Sequence, residues 1–191
     1  MLFTAIALLP LAGLALAAPA REATAMVPRA AQGEIQPSSV IGHTLYDSYP
    51  NWCYPNNTVH IWHTGPWPDK GASALYSFTY PDGLSGKQCW LDFTGNQVSN
   101  PGGVQIDVFS STTAPSCSGG SQANNRGNNW GRWNVPVSGQ ATWIQTYGGL
   151  SRKTPCKSAG EHEWIELVAA GDSSSLQYQQ SAGQGVRILW V

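Results

Sequence analysis

The chain has 191 residues and a formal net charge of -1, and only 11% of its residues are charged. That length suits one domain with a single hydrophobic core, and the lack of any Lys or Arg run excludes the counterion release that drives nucleic-acid binding, so no nucleic-acid partner is expected. With 21 glycines, 13 prolines and 9 tryptophans, the composition is that of a turn-rich β protein and not of a disordered tail.

Leu2 to Leu16 are almost entirely apolar, and Ala15-Leu16-Ala17 supplies the small-x-small pattern that signal peptidase accepts, so residues 1–17 are read as a signal peptide. The run is shorter than the ~20 apolar residues of a membrane span, and no membrane anchor is expected. Its removal leaves Cys53, Cys89, Cys117 and Cys156 in an oxidising compartment. Two disulfides follow, with three connectivities open, and no Cys-x-x-Cys pair suggests zinc or redox chemistry. Residues 18–45 are rich in Ala, Pro, Ser and Gln without apolar periodicity, which predicts a flexible arm or pro-segment. The folded domain is expected over 46–191.

From Tyr46 onward, short alternating apolar runs are separated by Gly, Pro, Asn and Asp, the pattern of strands joined by turns. Val59 to His63 is the first predicted strand. In Ala74 to Tyr80 the aromatics Tyr76, Phe78 and Tyr80 share a face, and in the next strand Cys89, Leu91 and Phe93 share one opposite Trp90 and Asp92. Val104, Ile106 and Val108 alternate with Gln105, Asp107 and Phe109. Ser116 to Gly131 is predicted as a long loop, followed by a strand piece near Trp133 and further strands at Ala141–Tyr147, Trp164–Val168, Leu176–Gln179 and Val186–Val191. Together they predict an all-β fold, a two-sheet antiparallel β-sandwich stapled by disulfides.

Tryptophans are the first functional candidates, because an exposed indole can stack on a sugar ring. Those at turns stand out: Trp62 and Trp67 flank Thr64-Gly65-Pro66, and Trp130 and Trp133 follow the Asn-rich loop with Arg126 nearby. Arg126, Trp130 and Trp133 are therefore the predicted ligand-binding set, presented together by a turn at Gly131. The competing reading makes Trp133 a buried strand residue and Trp130 a loop anchor.

Glycoside hydrolysis needs two convergent carboxylates, and Asp92, Asp107, Glu163 and Glu166 are available. The first two occupy the polar positions of alternating strands, where solvation is the ordinary expectation. His60 and His63 point to opposite faces of a strand, so no metal site is predicted from them. No Gly-x-Ser-x-Gly turn and no phosphate-binding or dinucleotide loop is present, so no catalytic residue and no cofactor is assigned. Asn56-Asn57-Thr58 is an N-glycosylation acceptor at Asn56.

Several segments in order, Gly86-Lys-Gln-Cys89-Trp-Leu-Asp-Phe93, Gln105 to Ser111, Asn125-Arg126 leading to Gly131-Arg132, Gly139 to Trp143, Pro155-Cys156, Trp164 to Val168 and Gly185 to Ile188, carry a resemblance. From Tyr76 to the C-terminus the chain resembles a fungal secreted family, the domains named after the C-terminal domain of the But-type ubiquitin-3-binding protein. The resemblance implies a compact β-sandwich without an assigned catalytic centre, a Cys89–Cys156 bridge and, with it, a Cys53–Cys117 bridge. The cytosolic partner in the family's name is not carried over to a chain that has a signal peptide.

The resulting expectation is a secreted, non-catalytic domain, extracellular or cell-wall associated, whose partner is a cell-wall glycan or a surface protein. A cell-wall glycoside hydrolase and a secreted effector that binds a host protein are the alternatives. Neither composition nor pattern specifies an oligomeric state.

Overall fold

The computed structural model describes residues 31–44, 52–54, 57–65, 70–96, 103–117, 126–171 and 173–191. The predicted signal peptide, Asn56 and Trp67 lie outside these residues. Among the described residues, no helix is long and apolar enough to cross a membrane.

Two antiparallel sheets make up the fold. The first runs β1 (Gly33–Ile35), β14 (Gly185–Trp190), β6 (Gln88–Asn96), β11 (Thr154–Pro155), and β9 (Ser138–Gln140) also pairs with β6. The second runs β10 (Thr142–Thr146), β8 (Arg126–Val135), β7 (Val104–Ser111), β12 (His162–Ala169), β5 (Lys70–Thr79), β2 (Ser39–Thr44), β3 (Trp52–Cys53). From one end of β5 a two-stranded ribbon departs, β4 (Thr58–Thr64) paired with β13 (Ser173–Gln179).

Alternation builds the core. Ala74, Tyr76 and Phe78 of β5, Leu91 and Phe93 of β6, and Val104, Ile106 and Val108 of β7 are buried, each set on one face of its strand as the period of two requires. Phe93 crosses between the sheets, edge-on to Tyr178 at 4.8 Å and tilted against Trp133 at 6.2 Å. The sheets therefore close on one another as a sandwich. Cys89 pairs with Cys156 and Cys53 with Cys117, the connectivity that the resemblance implies. Two disulfides in a domain of this kind belong to an oxidising, extracellular environment.

Two boundaries differ from expectation. The arm predicted over 18–45 contains β1 and β2, which place Ile35 and Ile41 in buried positions. Their glycines conceal them: a Cβ at Gly33 would lie 2.4 Å from the Trp190 ring, and one at Gly42 2.0 Å from that of Trp52. Each glycine is there to seat an indole that arrives from elsewhere in the chain. The loop predicted over Ser116–Gly131 yields to β8 from Arg126 onward. Gly131 makes no turn; its φ of +146° lies within β8, where a Cβ would meet the carbonyl oxygen of Gln145 at 2.2 Å.

Candidate functional site

The predicted ligand set does not form a platform. Trp133 is 1% exposed and Trp130 6% exposed. Strand parity puts Trp133 inward, against Trp143 at 4.7 Å. The short 3-10 turn Gly149–Ser151 covers Trp130 so closely that a Cβ on Gly149 would stand 2.3 Å from the indole nitrogen. Arg126 is engaged as well, gripping the Glu166 carboxylate with two hydrogen bonds of 2.9 and 3.0 Å and lying over the Phe109 ring at 5.2 Å. The correction is that Trp130 and Trp133 belong to the core and Arg126 to an ion pair.

The four candidate carboxylates are each matched to a cation. Asp92 accepts from Arg187 at 2.7 Å and from Gln140 at 2.6 Å, and Asp107 holds Arg132 through contacts of 2.6 and 2.8 Å. Glu166 holds Arg126, and Glu163 meets Lys157 at 3.1 Å. Parity puts Asp92 on the outer face of the first sheet and Asp107 and Glu166 on the outer face of the second. Asp92 therefore faces away from Asp107 and Glu166, with the sandwich between them.

A different constellation is built on the β4–β13 ribbon. The register sets Val59 opposite Tyr178 and Ile61 opposite Leu176, all buried. On the other face His60 stands opposite Gln177 and Trp62 opposite Ser175. At the ribbon's end a cleft of about 440 Å³ opens, lined by His60, Trp62, His63 and Thr64 of β4 and by Ser173, Ser174 and Ser175 of β13. None of these residues is acidic.

The polar groups of the cleft are arranged. His60 Nε2 and the Ser175 hydroxyl are 2.9 Å apart, and the His60 ring lies 6.5 Å from that of Trp62, centroid to centroid. Burial holds the His60 imidazole below its ordinary pKa, so it is neutral at neutral pH and can both donate and accept. His63 Nδ1 donates to the Gly171 carbonyl at 2.6 Å. The Ser174 hydroxyl, which strand parity puts on the ribbon's other face with Leu176 and Tyr178, is buried with no hydrogen-bond partner among the described residues. From behind, the Tyr54 hydroxyl donates to the backbone carbonyl of His60 at 2.5 Å.

Chemically, the lining combines an aromatic ring with imidazole and hydroxyl groups. Trp62 offers an apolar ring, and the imidazole and serines offer donors and acceptors. Ser175 and His60 are close enough for a nucleophile and its base, yet Ser175 sits mid-strand in an unbroken ladder and not on an exposed elbow. Among the described residues, no carboxylate bonds the ring's other nitrogen and no group of His, Cys, Asp or Glu could hold a metal ion. Reading the sequence picks out Trp62 but misses the serines. No protein-family model matches the chain, and no curated protein matches it.

Proposed function

We propose that this is a secreted, non-catalytic domain, associated with a cell wall or cell surface, that binds a neutral glycan in the cleft of the β4–β13 ribbon. The carrying observation is the conjunction of the Trp62 ring and the neutral His60–Ser175 pair in one cleft. A pyranose has the matching chemistry, with an apolar face for the indole and equatorial hydroxyls for the polar rim. The two disulfides support an extracellular setting. The ordered motifs from Tyr76 onward support kinship with the But-type fungal family.

The hydrolase alternative loses support because Asp92, Asp107, Glu163 and Glu166 are committed to Arg187, Arg132, Lys157 and Arg126. The effector alternative has one observation in its favour: Val137, Ile144 and Tyr147 are 43%, 49% and 59% exposed, in β10 or beside β9 and β10. A glycan array probed with the purified mature domain separates these readings. Retention on neutral oligosaccharides is the expected result, and a blank array with capture of a protein partner through the β10 edge would favour the effector.

A further inference from the structure

The two disulfides occupy opposite environments. Cys89 is fully buried in the core and Cys156 is half-buried, whereas Cys53 and Cys117 are both exposed. Thiol–disulfide exchange requires a thiolate to reach one sulfur of the bridge, so access separates the two.

What the exposed bridge holds gives this difference a consequence. Cys53 lies in β3, two residues long and, among the described residues, paired with Ile41 and Gly42. Its neighbours Trp52 and Tyr54 pack edge to face at 5.8 Å, and Trp52 lies on Gly42. Tyr54 braces the His60 carbonyl. The segment that carries the exposed bridge is thus one hydrogen bond away from the cleft.

We propose that Cys53–Cys117 is a redox latch on the cleft: opening it releases the Trp52–Tyr54 segment, removes the brace behind His60 and lowers affinity for glycan, while Cys89–Cys156 keeps the sandwich folded. The inference rests on the cleft being the binding site. The reductant is a low-molecular-weight thiol such as glutathione. Its thiolate attacks one sulfur of the bridge, the other cysteine leaves as a thiolate and takes up a proton, and a second thiol resolves the mixed disulfide. Two electrons and two protons pass to the bridge, giving two protein thiols and one disulfide of the reductant. A two-residue strand has too few ladder bonds to stay docked once the cross-link that restrains it is gone.

The test titrates the folded domain with glutathione, traps thiols by alkylation and maps them by mass spectrometry, with circular dichroism and amide hydrogen exchange on the same samples. Cys53 and Cys117 are expected to open at a thiol concentration about tenfold or more below that needed for Cys89 and Cys156, with the β-sheet signal retained. Exchange at His60–Thr64 then accelerates, and affinity for the oligosaccharide retained on the array falls. The Cys53→Ser/Cys117→Ser variant shows the same loss without reductant. Tyr54→Phe, which keeps the bridge and removes only the hydroxyl, shows a smaller one. Simultaneous or reversed opening, or selective opening that leaves exchange at His60–Thr64 unchanged, overturns the latch. Because exchange is read without ligand, a fully oxidised domain that binds no glycan refutes the cleft reading and leaves the exchange result to decide the latch.

Discussion

Trp133 is wedged between Phe93 and Trp143, whereas Trp62 stands half-buried on the outer face of the β4–β13 ribbon at the lip of a cleft. Both follow or precede a glycine-containing stretch, and by sequence both are turn-borne candidates. What separates them is the face of the strand. Residues that share a face with Val135 point into the sandwich, and residues opposite Val59 and Ile61 point away from it. Position next to a loop decides little about exposure, while register decides nearly all of it.

The sharpest way to break the comparison is to remove each indole in turn. Trp133→Ala is expected to lower stability by about 3 to 5 kcal/mol, because a fully buried ring leaves a cavity that its neighbours fill only in part. Denaturant unfolding measures this, and glycan binding per folded molecule should be unchanged. Arg126→Ala comes next, at about 2 to 3 kcal/mol, because it leaves the Glu166 carboxylate buried without its cation. That variant should also keep its ligand; loss of binding with unaltered stability would return Arg126 to the functional set.

Acid provides a finer probe of the cleft side. Burial lowers the folded-state pKa of His60 below 6.5, its ordinary value, so the unfolded chain takes up this proton first as pH falls. The contribution is present above pH 6.5 and is lost progressively below it. Glu163 acts in the opposite sense: burial raises its carboxyl above 4.5, and its contribution is lost as pH rises through that range. Comparing melting temperatures of the wild type and His60→Gln between about pH 5 and 7.5 isolates the histidine. The wild type should lose stability on acidification more steeply than the variant, and equal slopes would remove His60 from the account.

The fold was legible where a strand carries its own alternation. Tyr76 and Phe78, Leu91 and Phe93, and Val104, Ile106 and Val108 announce β5, β6 and β7, and the structure buries these residues. β1 and β2 were hidden because glycines that receive Trp190 and Trp52 read as arm. The start of β8 was hidden because Gly127, Asn128 and Asn129 are exposed and rely on β7 for their pairing. The cleft was half legible. Trp62 could be picked out as turn-borne, but Ser175 reaches His60 across 115 residues of chain, and a serine run gives no sign of the strand it will pair with. His60 and His63 belong to opposite faces of the ribbon, as their spacing in a strand requires, His60 pairing with Gln177 and His63 with Ser174.

The central claim is tested most directly by Trp62→Ala, titrated against the oligosaccharide that the wild type retains, with the melting temperature read on the same sample. Removing the ring should weaken binding by roughly tenfold or more, the worth of one aromatic stacking contact, while the melting temperature stays within a few degrees of the wild type. Wild-type affinity in a folded Trp62→Ala domain would contradict the assignment of the β4–β13 cleft as the glycan site.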